Sequence, residues 1–176
     1  MSRSEQPKMS RVWAMPNNHT FRIKPVRELI ERWFTGGLWL DPFALDSPFA
    51  DRCVTNDLWP EANTNHHLES LEFLRLFDSG SVDGVLFDPP YSVRQLQECY
   101  NQVGRKVHQS DTQSSFYGDR KKEVARVVKP GGRVLCFGWN SGGVGKTNGF
   151  RLLEVLLVPH GGPHNDTVCT VEEKAE

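Results

Sequence analysis

The sequence has no long hydrophobic run, no closely spaced cysteines and almost no net charge, and each absence excludes a class of protein. No apolar stretch approaches the roughly 20 residues of a membrane-spanning helix, so we expect no membrane partner. The N-terminus MSRSEQPKMSR has no apolar segment of the kind that a secretory signal needs, which predicts a cytoplasmic protein. None of the four cysteines forms a CxxC pair, so we expect reduced thiols and no metal site.

Length and charge set the domain organisation and the kinds of partner to expect. The 176 residues suffice for one domain, which we place at residues 13–176 after a flexible polar leader over residues 1–12. The net charge of −1 gives no general attraction to nucleic acid, so such a partner would need local basic clusters.

Helical and strand patterns alternate along the chain. Apolar residues at helical spacing predict helices over 21–34, 68–77 and 119–132. Short apolar runs predict strands over 38–44, 52–58, 82–91, 133–140, 150–159 and 167–173. This alternation predicts an α/β fold with a mostly parallel sheet and few helices. The last two strands are joined by a few residues, so we expect them to be an antiparallel pair at an edge of the sheet.

Three acidic residues follow three of the predicted strands. Asp41, Asp57 and Asp88 each come at the end of a short apolar run. The carboxyl ends of parallel strands meet at one edge of a sheet, where open α/β sheets bind their ligands. We therefore expect these three carboxylates to lie around one ligand site.

The run after the third strand, Asp88-Pro89-Pro90-Tyr91, has a composition suited to a flat amine. Two prolines stiffen the turn and remove two amide donors, so its carbonyls remain acceptors. Asp88 and the Pro89 carbonyl can hold the two N–H groups of an exocyclic amine, and the Tyr91 ring can stack on it. Such an arrangement aims the nitrogen lone pair at an electrophile, which is catalysis by orientation and electrostatics. Adenine fits this description best, and cytosine less well.

At these residues the sequence resembles the DNA methyltransferases that modify exocyclic amines with S-adenosylmethionine. Their catalytic motif is (Asp/Asn/Ser)-Pro-Pro-(Tyr/Phe), and the form Asp-Pro-Pro-Tyr is typical of adenine-N6 enzymes. From about Trp13 to Val171 the chain is similar to the small adenine-specific methylases of bacteriophages and prophages. The resemblance implies a Rossmann-like class I methyltransferase sheet, transfer of a methyl group to adenine N6 in DNA, and a target base flipped out of the duplex.

The resemblance also implies which residues contact S-adenosylmethionine. Asp57 would hold the ribose hydroxyls, and Leu58 or Trp59 would flank the adenine ring. Glu69 would lie near the adenosine amine, and Asp88 near the reacting methyl group. The methionine end would be held at the first strand end and by the segment FRIK, through Asp41, Pro42, Phe43, Phe21, Ile23 and Lys24, with Lys24 near the carboxylate.

One stretch departs from the family pattern. Many methyltransferases have Phe-x-Gly-x-Gly at the first strand end, where glycine lets the backbone approach the cofactor closely. In this chain Phe43 is followed by Ala44-Leu45-Asp46, without glycine. A weak enzyme, or a DNA-binding protein that has lost the chemistry, is therefore an alternative.

DNA is the expected partner, and the chain is too short for a separate recognition domain. The polar insert 92–118 is the candidate contact region, together with the basic run Arg120–Lys122 that follows it. An insert of this size is also compatible with a homodimer that shares the DNA. The candidate DNA contacts are Arg94, Arg105, Lys106, Trp139, Asn140 and Lys146.

Other functions compete with this interpretation. The stretch Ser141-Gly142-Gly143-Val144-Gly145-Lys146-Thr147 is similar to the phosphate-binding loop of nucleotide triphosphatases. The residues after it predict a strand, however, and a phosphate loop needs a helix there. Turns with two prolines also serve cytosine-N4, RNA or protein glutamine as methyl acceptors. A zinc site would require His160, His164 and Cys169 to converge, against a plain polar loop.

Overall fold

The computed structural model describes residues 6–106 and 114–176, and within them the strands form one seven-stranded sheet. In chain order the strands are β1 (Lys8–Arg11), β2 (Trp39–Asp41), β3 (Val54–Thr55), β4 (Val82–Phe87), β5 (Val128–Gly138), β6 (Phe150–Val158) and β7 (Thr167–Lys174). Their order across the sheet is β1-β6-β7-β5-β4-β2-β3, and β7 runs antiparallel to both of its neighbours. The other pairings are parallel, so the predicted α/β class is confirmed.

The edge of the sheet differs from the prediction in two respects. The β6–β7 pair is antiparallel as expected, but it does not lie at the edge, because β1 adds to β6 in parallel. The flexible leader predicted over residues 1–12 is wrong for Lys8–Arg11, which form β1. This strand is held by backbone pairing to β6, and its side chains are mostly exposed, so hydrophobic patterning could not reveal it.

Four helices flank the sheet in the described residues: α1 (Lys24–Trp33), α2 (Ser70–Leu74), α3 (Val93–Gln102) and α4 (Ser114–Val127). In α1, Pro25 occupies the first turn, and the buried Val26, Leu29 and Ile30 recur at helical spacing. The helix predicted over 119–132 ends earlier, since Val128 pairs with Val82 and begins β5. None of the helices in these ranges is long and apolar enough to cross a membrane.

The sheet has a separate apolar cluster on each face. α1 covers one face, where Val26 and Ile30 pack with Leu86, Leu135 and Leu156. On the opposite face, α2 and α4 pack against β4 and β5, and α3 joins only a small third cluster of Leu96, Tyr100 and Phe116. Alternate residues of β4 and β5 therefore point to opposite faces of the sheet. Because these side chains pack under the helices, the ends of the strands are left free for a site.

Candidate active site

A cleft of about 620 Å³ opens at the carboxyl edge of the sheet. Its walls are the turns after β2, β3 and β4, the pocket side of α3, and the segment that precedes α1. The structure brings together there the following predicted residues: Pro42, Phe43, Asp57, Leu58, Glu69, Asp88, Pro89, Pro90 and Tyr91. A smaller recess of about 90 Å³ adjoins the cleft, shares Phe43 and Asp88 with it, and is lined by Phe21.

Three of the residues predicted to bind the cofactor line neither the cleft nor the adjoining recess. Asp41 is 0% exposed because it is still part of β2, whose residues are all buried. Ile23 is buried in the core beneath α1. Lys24 points into solvent, with its side chain 79% exposed and its ammonium 3.9 Å from Glu28. The sequence motif therefore predicted three cofactor contacts whose side chains do not face a cavity of the candidate site.

The turn after β4 holds a pair of acidic groups in contact. The Tyr91 hydroxyl donates a hydrogen bond to the Asp88 carboxylate, and the Thr20 hydroxyl lies 3.5 Å from the Tyr91 oxygen. Burial raises the pKa of Asp88 to about 6, although the Tyr91 and Thr20 hydroxyls act in the opposite direction. Burial and the neighbouring carboxylate raise the pKa of Tyr91 well above its usual value. Asp88 is therefore ionised at neutral pH, and Tyr91 stays protonated.

Two side chains brace the same turn. The Tyr117 hydroxyl of α4 donates to the Pro90 carbonyl, and the Tyr91 amide donates to the Gln95 side chain of α3 at 2.7 Å. Within the described residues no donor reaches the Pro89 carbonyl. Asp88 and the Pro89 carbonyl therefore keep acceptor capacity at the cleft, and their use by a ligand amine stays a prediction.

Asp57 ties the turns after β2 and β3 together. Its carboxylate accepts the Leu45 amide and the Trp59 amide, each at 2.9 Å, and still lines the cleft. Burial raises the pKa of Asp57, against these two amides, which lower it. Each carboxylate oxygen keeps a free lone pair, so Asp57 can also accept hydroxyl groups from a ligand.

Leu45 has a φ of 45°, the left-handed conformation in which glycine is normally found. It stands in the stretch where the resembling family has glycines. The chain thus adopts the tight backbone turn without glycine, at a conformational cost of about 1–2 kcal/mol. The hydrogen bond from the Leu45 amide to Asp57 stabilises the turn.

Glu69 lines the cleft but is already paired. It accepts the Leu71 amide at 2.9 Å as the N-cap of α2, and it forms an ion pair with Arg120 at 2.6 Å. Burial alone would raise the pKa of Glu69, but the Arg120 guanidinium and the Leu71 amide outweigh it and hold the pKa below its usual value. Arg120 is 4% exposed and also bonds Ser70, so its predicted role as a phosphate contact is wrong.

Asn56 is a site residue that the sequence analysis missed. Its side chain donates to the carbonyls of Pro42 at 3.1 Å and Leu68 at 2.9 Å, and it accepts the Leu68 amide. It thereby fixes three segments that form the floor of the cleft. The signal available in the sequence was a polar residue within a predicted strand, directly before Asp57. Thr20 and Tyr117 offered none, because each lies far from its partner in the sequence, whereas Gln95 lies only four residues after Tyr91.

The predicted DNA contacts lie in different parts of the molecule. Trp139 is 44% exposed, and its ring centroid is 5.7 Å from that of Tyr91, which lines the cleft. The neighbouring Asn140 is exposed. On the insert, Arg94 pairs with Glu98 at 3.0 Å and the Arg105 guanidinium stacks over Tyr100. Lys106 is exposed. Residues 107–113 of the insert, including His108, lie outside the described residues.

The glycine-rich loop binds a carboxylate of its own chain. The amides of Val144 and Gly145 donate to Glu172 of β7 at 2.7 and 2.9 Å. Burial raises the pKa of Glu172, and the two amides counter it. The amides that a phosphate would need are therefore already occupied, and a 3₁₀ turn, Lys146–Asn148, follows in place of a helix. The nucleotide triphosphatase alternative loses its structural basis.

Lys146 lies at the opposite edge of the sheet from Asp88. The loop leaves β5 beside Gly138, which pairs with Val168, and it reaches β6 at Phe150, which pairs with Lys174 at the far end of β7. Lys146 is exposed just before that point. Lys146 therefore does not lie beside the candidate active site, because the loop crosses a face of the sheet, and its predicted contact with DNA stays a prediction.

The candidate zinc ligands do not form a site. The two ring nitrogens of His160 lie 2.9 Å from the Ala14 carbonyl and 2.8 Å from the Thr167 hydroxyl, which leaves neither for a metal. Cys169 is buried in β7, and His164 is exposed in the preceding loop. Across residues 6–106 and 114–176, no three His, Cys, Asp or Glu side chains converge on a metal position.

Several solved structures that are similar in fold to this chain are methyltransferases. A SAM-dependent methyltransferase from Methanosarcina mazei aligns with a TM-score of 0.57 at 12% identity, over 84% of this chain and 97% of that one. The Burkholderia thailandensis 1,6-didemethyltoxoflavin-N1-methyltransferase, with substrate and S-adenosylhomocysteine bound, aligns at 0.55 and 12% identity, over 85% and 76%. TrmN from Thermus thermophilus aligns at 0.57 and 18% identity, over 86% of this chain and 49% of that one.

The chain has the fold of these methyltransferases. At such low identity the likeness concerns the fold alone. No protein-family model matches the sequence, and no curated protein is significantly similar to it. This methyltransferase fold places the cleft, with Asp57 and Asp88 on its walls, at the strand ends where the fold class binds its ligands.

Proposed function

We propose that the chain transfers a methyl group from S-adenosylmethionine to the N6 amine of adenine in DNA. The observation that carries the proposal is the turn Asp88–Tyr91, whose acceptors open into the same cleft as Asp57. Two of the solved structures with this fold are named as N-methyltransferases, and one of them holds 1,6-didemethyltoxoflavin and S-adenosylhomocysteine. The cytosine, RNA and glutamine alternatives share this chemistry and differ in the acceptor.

The residues of the cleft fit the cofactor. The cleft is of the size that a cofactor site needs, and Asp57 can accept the ribose hydroxyls beside the apolar Leu58 and Trp59. Phe43 and the Thr20 hydroxyl line both the cleft and the adjoining recess, where the methionine end would lie. When bound, the cofactor supplies the electrophilic methyl group.

The turn after β4 would activate the target amine. Asp88 and the Pro89 carbonyl each accept one N–H, which directs the nitrogen lone pair away from the ring. In the structure the Asp88 carboxylate accepts a hydrogen bond from the Tyr91 hydroxyl. A base that enters the pocket replaces this hydrogen bond with one from its amine. Tyr91 and Trp139 then offer aromatic surfaces beside the base.

Asp88 must be ionised to accept the amine, which predicts both a mutant effect and a pH dependence. Asp88→Asn lowers kcat/KM by about 100-fold or more, by analogy with the loss of one electrostatic contact to a transition state. In the unchanged chain kcat/KM rises with pH through about 6, the pKa of Asp88, and is level above it.

The measurement is transfer of labelled methyl groups to unmethylated DNA, followed by digestion to nucleosides. N6-methyladenine is the expected product, and N4-methylcytosine or labelled RNA would identify another acceptor. Asp78→Asn, an exposed acid before the opposite end of β4, is the matched control and keeps full activity. Full activity in Asp88→Asn would remove the carboxylate from the proposed role.

A further inference from the structure

Exposed apolar side chains are concentrated near the N-terminus of the described chain. Of the seven large hydrophobic residues that are exposed in residues 6–106 and 114–176, four lie between residues 9 and 15: Met9, Val12, Trp13 and Met15. A fifth, Trp139, stands beside Tyr91, which lines the cleft. The residues Arg11, Trp13, Met15 and Trp139 are here named the aromatic edge. A soluble domain rarely clusters such side chains without a partner.

The backbone under the aromatic edge is firmly held. After β1 the chain continues beside β6, with the Val12 amide bonded to the Leu157 carbonyl at 3.0 Å and the Ala14 amide to the Pro159 carbonyl at 3.2 Å. Ala14 packs against the core, whereas Trp13 and Met15, on the other side of the extended chain, are 57% and 69% exposed. These side chains are therefore presented to solvent from an ordered backbone.

The segment leads directly to the candidate active site. It runs along the carboxyl edge of the sheet to Asn18 and Thr20, which line the cleft. Trp13 follows β1 and Trp139 follows β5, which are three strand spacings apart, or about 14 Å. The aromatic edge therefore lies next to Asp88 and Tyr91 in the candidate active site.

The positive charge of this region is complementary to that of a polyanion. Residues 6–27 contain no Asp or Glu but five Lys or Arg. Lys8 is 3.6 Å from Glu154, Arg22 is paired with Asp46 and Lys24 weakly with Glu28, whereas no described residue pairs with Arg11 or Arg27. Exposed aromatic rings between unpaired cations are the composition of a surface that binds unpaired bases and phosphates.

A second copy of the chain fits this surface less well. β1 is an open strand edge, but two-fold pairing of β1 with itself would bring Lys8 and Arg11 of both copies into one four-residue ladder. Like charges that face each other across strands are destabilising, and basic residues on an edge strand discourage such pairing. Charge therefore favours nucleic acid over self-association.

We propose that the aromatic edge binds the single-stranded nucleic acid that flanks the target base, with bases stacked on Trp13 and Trp139 and a phosphate held by Arg11. The inference rests on the proposed function only for its location beside a base pocket. It moves the main nucleic-acid contact from the insert 92–118 to the segment before α1.

The test is the affinity of the purified chain for a labelled single-stranded DNA oligonucleotide, measured by fluorescence anisotropy, with the same sequence as a duplex for comparison. Trp13→Ala and Trp139→Ala each weaken binding of the single strand by about tenfold. Trp13→Phe keeps the affinity because it keeps a stacking ring. Arg11→Gln lowers the slope of log affinity against log salt by about 0.7. Leu76→Ala, which removes an exposed apolar side chain before the far end of β4, leaves binding unchanged.

Thermal unfolding of each variant separates loss of contact from loss of fold. Equal affinity of Trp13→Ala and the unchanged chain, at equal melting temperature, would overturn the inference. So would a change in sedimentation that shows the surface joining two copies of the chain. Binding of the single strand without methyl transfer would refute the proposed function and leave this inference standing. Methyl transfer together with an unchanged affinity of the Trp13→Ala variant would refute this inference and leave the proposed function standing.

Discussion

Asp41 illustrates at the scale of one residue how burial changes the role of a motif side chain. It is fully buried, and neither carboxyl oxygen has a hydrogen-bond partner in the described chain. Burial raises its pKa to about 7, with the Asp88 carboxylate adding to the effect and the nearby Ser47 hydroxyl reducing it. The folded chain thus holds this proton more tightly than the unfolded chain does.

The raised pKa of Asp41 predicts a stability that falls as pH rises. Because the folded value lies above the ordinary value of 3.8, the free energy of unfolding decreases between about pH 4 and pH 7 and is level above that. The difference between the two values corresponds to about 4 kcal/mol. Asp88 contributes in the same direction up to about pH 6.

Asp41→Asn removes this charge and should stabilise the chain at alkaline pH. The expected gain in the free energy of unfolding at pH 8 is about 2 kcal/mol, since the buried amide loses part of the benefit through its own unmet hydrogen bonds. At pH 5 the variant and the unchanged chain differ little. Urea unfolding at the two pH values measures this, with Asp78→Asn as the exposed control.

The same variant decides whether Asp41 touches the cofactor. Since Asp41 does not line the cleft, Asp41→Asn leaves the affinity for S-adenosylhomocysteine unchanged in calorimetric titration. A large loss of affinity with intact stability would return Asp41 to the cofactor site.

At the scale of elements, the glycine-rich crossover between β5 and β6 is organised by Glu172. Gly143 has a φ of +52°, and a Cβ atom there would stand 2.2 Å from the Glu172 carboxylate. The crossover therefore needs glycine both for its backbone conformation and for the close approach of a buried acid. Its resemblance to a phosphate-binding loop reflects a shared use of backbone amides to hold negative charge.

Gly143→Ala should destabilise the chain by about 3 kcal/mol or more, because left-handed backbone strain adds to the collision with Glu172. Gly80→Ala is the matched control, with a φ of +62° and open space around the added Cβ, and should lose only about 1 kcal/mol. Urea unfolding measures both variants. Equal losses would mean that Glu172 moves aside without cost.

At the scale of the whole molecule, β1 closes the edge of the sheet. It covers β6, which contains the buried Val155, Leu156 and Val158. An uncovered edge of this composition would pair with other chains.

A chain that begins at Trp13 should therefore unfold at a lower temperature and aggregate more readily than one that begins at Lys8. The two differ in β1 and Val12, which makes the longer one the matched control. A loss of 1 kcal/mol corresponds to about 2–4 °C for a domain of this size. Identical melting curves and solubility would restore the idea of a dispensable leader.

The sequence predicted well what depends on neighbouring residues. The spacing of Val26, Leu29 and Ile30 predicted α1, and the apolar runs predicted six of the seven strands, because local periodicity records which face is buried. The Asp88–Tyr91 turn was visible for the same reason, since its four residues are consecutive. The sequence alone therefore determined the fold class and the position of the candidate catalytic turn.

The tertiary structure decided which side chains meet across long stretches of chain. Arg120 lies 51 residues from its partner Glu69, and Glu172 lies 28 residues from the Val144 amide that it accepts. The structure shows that Arg120, a predicted phosphate contact, is in a buried ion pair, and that part of the predicted leader is an edge strand. It also shows that the glycine-rich loop, which the sequence argued against as a phosphate loop, holds a carboxylate. These outcomes depend on packing and on the pairing of distant backbone groups, which no local pattern of residues records.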